Sequence, residues 1–219
     1  MAVFSQKATP AQRQKAVGHL IAELNADKNP ILLGPYRSEL GFEVSYWLPF
    51  LAFLASKVKD FDKRAAVVTR GGLAPLYKAV ASQGFDLYAL RDHVEVRREN
   101  LHDQVKRYKG KTIKQLQVTE WDEAVLADAA DELHLGAVYH TIHPALMYWA
   151  LTPYWDDTAG MAYLASMTDY RLLPKVALEN APELPAKFVA VKCYARATFP
   201  YPHPDVAEWT KNTVATIAA

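Results

Sequence analysis

The sequence predicts an α/β fold: a Rossmann-like parallel sheet flanked by helices, followed by the first β-α unit of a second Rossmann-like domain. Three observations carry this expectation. The run Ile31-Leu32-Leu33 is apolar without alternation, as in a strand covered on both faces, and passes through Gly34-Pro35 into a long apolar helical pattern. The segment Ala65-Ala66-Val67-Val68-Thr69, followed by Arg70-Gly71-Gly72, repeats the order strand, glycine turn, helix, which generates a parallel sheet. Beyond Pro174, Pro182 and Pro185, Lys187 to Tyr194 reads as another strand and Asp205 to Ile217 as another helix.

Each element has its own reason. Pro10 opens a helix in which Val17, Leu20, Ile21 and Leu24 share a face, and the Asn and Pro residues between Asn25 and Pro30 end it. Leu40 to Val58 is apolar nearly all round, with Phe42, Tyr46, Trp47, Phe50 and Phe53 along it, so it packs on several sides. A helix is expected from Leu73 to about Gln83, a third strand over Phe85 to Leu90, and a charged helix over Asp92 to Tyr108. A fourth strand is expected over Thr112 to Val118, then a helix from Glu120 to Leu133. From Gly136 to Tyr170 histidines, tyrosines and tryptophans crowd around prolines, a composition that suits pocket lining.

The expected domains are 1–180, an N-terminal Rossmann-like unit, and 181–219, a linker with the start of a second unit. One strand and one helix cannot bury their own apolar faces. The chain is therefore expected to have been cut from a longer protein rather than to fold its last elements onto the first sheet.

Bulk properties exclude several classes. Of 219 residues, 51% are hydrophobic, enough for a core, while 25 basic against 24 acidic residues leave no electrostatic footprint for nucleic acid. The single cysteine, Cys193, has no partner for an internal disulfide, which fits a reducing compartment, the cytoplasm. The most apolar stretch, Leu40 to Ala55, is shorter than the ~20 residues of a membrane span, so no transmembrane segment is expected, although peripheral membrane contact stays open. The oligomeric state is left open.

The turn after the first strand is the first candidate for binding. Backbone N–H groups at a helix N-terminus favour anions, and Arg37 stands there beside Glu39, so a phosphate-bearing or polyhydroxyl ligand is expected. Neither glycine turn is the Gly-x-Gly-x-x-Gly fingerprint and there is no Walker pattern, which argues against dinucleotide oxidoreductases and NTPases.

The motif Gly34-Pro35-x-x-Ser38-Glu39-Leu40-Gly41-Phe42-Glu43, with Tyr46-Trp47-Leu48-Pro49 behind it, resembles the start of bacterial glycosyltransferases of the GT-B type, built from two Rossmann-like domains. His143-Pro144-Ala145-Leu146-Met147-Tyr148 resembles an acceptor-side segment of such enzymes. Phe188-Val189-Ala190-Val191-Lys192-x-Tyr194-x-Arg196-x-x-Phe199-Pro200 resembles the first strand and loop of their C-terminal domain. The resemblance implies sugar transfer from a nucleotide-sugar co-substrate held mainly by the C-terminal domain to a glycan or other hydroxyl acceptor on the N-terminal domain, with no obligatory metal or other cofactor. Most of the donor-binding domain is absent from this sequence, so the fragment itself is expected to be inactive.

Such transfer needs a general base for the acceptor hydroxyl and cationic or N–H groups for the leaving diphosphate. His143, Glu39 and Glu43 are the candidate catalytic residues. Each has a structural alternative: a hydrogen-bonded core histidine, a helix-tip carboxylate worth ~0.3–1 kcal/mol, and a buried carboxylate with a partner. Glu39 and Glu43, four apart, are expected on one helix face. The candidate substrate- and donor-binding residues are Gly34, Pro35, Tyr36, Arg37, Ser38, Gly41, Arg70, Gly71, Gly72, Tyr148, Tyr194 and Arg196, with Arg196 on the diphosphate. His140 and His143 lack a third ligand at metal spacing, and Asp156-Asp157 reads as a solvated loop or helix N-cap rather than a metal pair. The alternatives are a non-catalytic α/β module that binds a phosphorylated or saccharide ligand, or another group transferase such as a sulfotransferase.

Overall fold

The computed structural model describes residue 5 and residues 7–108 and 115–170, the side chains of 103–108 excepted. The expected linker and second unit, with Cys193, Tyr194 and Arg196, lie outside the described residues.

The elements run α1 (Pro10–Ala26), β1 (Ile31–Leu33), α2 (Leu40–Phe42), a π-helical turn (Glu43–Trp47), α3 (Leu48–Ala55), α4 (Phe61–Arg64) and β2 (Ala65–Thr69). A 3₁₀ turn (Ala74–Tyr77), β3 (Gln83–Asp86), α5 (Leu87–Leu90), α6 (His93–Tyr108), α7 (Glu120–Glu132), β4 (His140–Ile142), α8 (Pro144–Trp155) and α9 (Met161–Ala165) follow. The sheet has four parallel strands in the order β3-β2-β1-β4, with Ile31 opposite Ala65 on one side and His140 on the other. The α/β, Rossmann-like reading holds.

Strand residues alternate between two apolar clusters, which is why β1 and β2 are apolar throughout. Ile31, Leu33, Ala65, Val67 and Ile142 face one cluster, which contains residues of α1, α3, α8 and α9. Leu32, Ala66 and Val68 face the other, with Leu87, Val96, Val125, Leu126 and Ala129 of α5, α6 and α7. Helices therefore cover both faces of the sheet.

Several boundaries differ from expectation. Pro75 opens a short 3₁₀ turn in place of the helix over 73–83. The third strand starts at Gln83 and ends at Asp86, whose side chain accepts from the Tyr88 N–H and starts α5, so Leu87 to Leu90 is helical rather than extended. Gly84 allows this packing, because a Cβ there would lie 2.5 Å from the Ala74 Cβ. Residues 115–118 are not a strand. The fourth strand is His140–Ile142, too short and too polar to stand out by pattern.

Prolines in the helices leave carbonyls that side chains satisfy. Pro49 has no N–H for the Ser45 carbonyl, which accepts from the Tyr170 hydroxyl at 2.9 Å; ahead of it the backbone widens, with the Leu48 N–H reaching back to the Glu43 carbonyl. Pro153 likewise frees the Trp149 carbonyl, which accepts from the buried guanidinium of Arg13. The same Arg13 donates from Nε to the Ala8 carbonyl at 2.9 Å and lies 5.0 Å from the centroid of the Trp149 ring.

Candidate functional site

Strand order reverses at β1, with β2 on one side and β4 on the other. Ligands of open parallel sheets bind at such a reversal, beyond the carboxyl ends of the strands. Here the loops after β1, β2 and β4 bring Arg37, Arg70 and His143 to one edge.

The loop after β1 is stitched to both neighbouring strands. The Gly34 N–H donates to the Ile142 carbonyl at 3.0 Å and the Tyr36 N–H to the Val68 carbonyl at 3.4 Å. Gly34 takes φ +111° before a cis bond to Pro35, and a Cβ there would lie 2.5 Å from the Val68 carbonyl oxygen, so glycine is required. Tyr36 is buried, its hydroxyl 3.2 Å from the Glu39 carbonyl and 3.3 Å from the Tyr148 hydroxyl; burial, then Tyr148, pushes its pKa up. Ser38 is buried as well. Tyr148 is buried inside an aromatic cluster with Phe42 and Trp155, at centroid separations of 6.3 and 5.7 Å.

Arg37 points inward. Its Nε donates to Asp122 Oδ1 at 3.1 Å, its Nη1 to Asn100 Oδ1 at 3.4 Å, and its guanidinium carbon lies 5.5 Å from the Trp121 ring centroid. Asp122 is the third helical residue of α7, where its Oδ2 accepts from the Thr119 N–H and hydroxyl in a capping box. Burial alone would raise the Asp122 pKa, yet His143 and Arg37 hold its carboxyl well below the usual range. His143 approaches the same carboxylate, Nε2 lying 3.5 Å from Oδ2.

The geometry of His143 constrains its chemistry. Its Nδ1 accepts from the Ala145 N–H at 3.0 Å, capping α8, so in the neutral ring the proton sits on Nε2, facing Asp122. Nδ1 is thus taken by the helix cap, while the buried Nε2 makes no hydrogen bond and has the Asp122 carboxylate as its charged neighbour. His140, three residues earlier, faces a different carboxylate, with Nε2 2.9 Å from Asp27 Oδ2.

Glu43 lies one loop away. Its Oε1 accepts from the Tyr77 hydroxyl and, at 3.3 Å, from Thr69 Oγ1, while Oε2 stands 3.6 Å from Arg70 Nη2. Burial pushes its pKa up, against opposing pulls from Tyr77, Arg70 and Thr69. Arg70, partly open to solvent, also donates from Nη1 to the Arg37 carbonyl at 3.3 Å, tying the loops after β1 and β2 together. Glu39 is exposed whereas Glu43 is fully buried, so the expected common face does not form. The reason is local: Glu39 has extended backbone and precedes the helix, and Glu43 begins the π turn. Gly41, midway between them in α2, is exposed.

Gly71 and Gly72 adopt φ +57° and +75°, and their N–H groups both donate to the Asp86 carboxylate, at 3.2 and 3.3 Å. That turn is occupied by an anion from its own chain. Asp122, Asp86 and Tyr77, all central to these networks, are not among the residues expected from the sequence. Thr119-x-x-Asp122 has capping-box spacing, a signal for the helix start, but nothing local gives its partner across the fold.

No protein-family model, no curated protein and no solved structure matches the chain. Among the described residues no three His, Cys, Asp or Glu side chains group around a metal position, and no helix is long and apolar enough to cross a membrane.

Proposed function

We propose that this chain is the acceptor-side Rossmann-like domain of a nucleotide-sugar-dependent glycosyltransferase. The supporting observation is the gathering of Arg37, Arg70, His143 and Glu43 on the edge where strand order reverses. In this reading Arg70, reached by solvent, meets an anionic group of donor or product, and Glu39, exposed at the helix tip, takes the proton of the acceptor hydroxyl. Glu43 holds Arg70, while His143 and Asp122 hold the loop after β1.

The test is a panel of nucleotide-sugars and saccharide acceptors with the protein in its natural full length, following nucleotide release and sugar transfer. Turnover that falls at least ~100-fold in Arg70→Ala, the scale of losing one charge-stabilising donor, supports the reading. Absence of both binding and turnover with every donor removes it.

One observation favours a second reading. Arg37, Glu43 and His143 are buried and face partners from their own chain, an arrangement suited to a non-catalytic module that holds a phosphorylated or saccharide ligand. Saturable binding without turnover distinguishes it.

A further inference from the structure

The backbone edge of the buried loop after β1 is filled by one side-chain amide. Gln115 donates from Nε2 to the Pro35 carbonyl at 2.8 Å, and its Oε1 accepts from the Arg37 N–H at 3.2 Å. The side chain is 3% exposed, although the chain beside it, Leu116 and Gln117, is half-buried and then exposed, so the carboxamide reaches inward from a surface segment. Gln115 itself has φ +55°, a conformation that disfavours a side-chain-bearing residue, and no helix or strand holds it there.

A carbonyl and an N–H two residues apart on an extended backbone form an acceptor-donor pair. Its complement is a planar group with a donor and an acceptor side by side on one edge. A primary carboxamide has that edge, and so does the Watson–Crick edge of each nucleobase: N3–H and O4 of uracil, N6–H and N1 of adenine, N4–H and N3 of cytosine, N1–H and O6 of guanine. The acetamido group of an amino sugar does not, because its trans amide points N–H and C=O in opposite directions. Sugar hydroxyls are not planar and select no such edge.

We infer that the Pro35 carbonyl and Arg37 N–H are a nucleobase-reading edge, with Gln115 occupying it when no nucleotide is bound. The location supports this, since the pair lies where strand order reverses. It also differs from what the resemblance implies, a donor held mainly by the second domain. The inference concerns binding alone and does not require sugar transfer.

The experiment measures binding of uridine, adenosine, cytidine and guanosine to the full chain by calorimetry, with glucose as the control, in wild type and in Gln115→Gly. Glycine suits the positive φ and empties the edge without straining the backbone. At least one nucleoside is expected to bind Gln115→Gly at least tenfold more tightly than wild type. Its derivative methylated so that no N–H remains at the donor nitrogen, 3-methyluridine, 1-methylguanosine, N6,N6-dimethyladenosine or N4,N4-dimethylcytidine, is expected not to bind. If Gln115→Gly does not fold, Gln115→Glu replaces the donor facing Pro35 by an acceptor and is expected to gain affinity in the same way. Should neither fold, the Gln115 side-chain amide resonance of wild type is expected to move on nucleoside titration. Equal binding of the methylated derivative, no binding by a folded variant, or an unmoved resonance at saturating nucleoside overturns the inference.

Discussion

Arg37 and Asp122 form a buried ion pair between the loop after β1 and the start of α7, Nε to Oδ1 being 3.1 Å with 1% and 0% of the two side chains exposed. Removing one partner strands the other charge. Asp122→Ala is expected to cost about 3–5 kcal/mol in urea unfolding, and the double change Arg37→Met with Asp122→Leu to recover most of it. A double variant as unstable as the single one would mean that Asp122 acts chiefly through its helix cap.

The same carboxylate sets an acid limit. Its pKa is lower folded than unfolded, so its stabilisation is present above the unfolded value of ~3.9 and is lost as pH falls through the folded one. Unfolding free energy measured from pH 6 down to pH 3 is expected to drop less steeply in the double variant than in wild type.

Glu43 has the opposite sign. Burial raises its pKa, so its contribution is complete below the unfolded value of ~4.3 and disappears as pH rises through the folded one. In Glu43→Gln that alkaline-side loss is expected to vanish. In Tyr77→Phe, which removes a donor favouring the carboxylate, the loss is expected to grow. Identical pH profiles for wild type and Glu43→Gln would show that folding leaves the Glu43 pKa unshifted.

His143 separates capping from catalysis. His143→Ala is expected to cost about 1 kcal/mol through the lost Nδ1 bond to the Ala145 N–H, and His143→Asn to restore most of it. If His143→Asn is as stable as wild type yet lowers the proposed sugar transfer at least ~100-fold, the ring acts in that chemistry as well.

Arg13 and Pro153 should be coupled. Arg13→Met leaves the buried Trp149 carbonyl short of a donor, an expected loss of about 1–3 kcal/mol. In a Pro153→Ala background residue 153 regains an N–H four residues on, so the loss is expected to shrink. A double-mutant cycle with no coupling energy would assign the cost of Arg13→Met to its other contacts.

The fold was legible where physics is local. Ile31–Leu33 and Ala65–Thr69 announced themselves as covered strands by continuous apolar runs, and α1 by its opening proline and apolar face. His140–Ile142 was not, because three residues with two polar side chains carry too little pattern, and the sheet alone makes them a strand. The same limit applies to the site. Arg37, Arg70, Glu43 and His143 stood out by type and position, but Asp122 lies 85 positions from Arg37 and Gln115 lies 80 from Pro35, so their meeting is a property of topology. The π turn also escaped, and with it the true orientation of Glu43.

That turn amounts to a surplus residue absorbed inside a helix. Shortening the segment by Ser45, whose side chain is exposed, would let the coil close to ordinary pitch while Trp47, Phe50 and Leu51 kept their places in the core. The carboxylate at the start of the bulge would then swing away from Thr69 and Tyr77. The extra residue is thus a spacer that aims one acid at the sheet edge, and its excision would silence that acid while sparing the architecture.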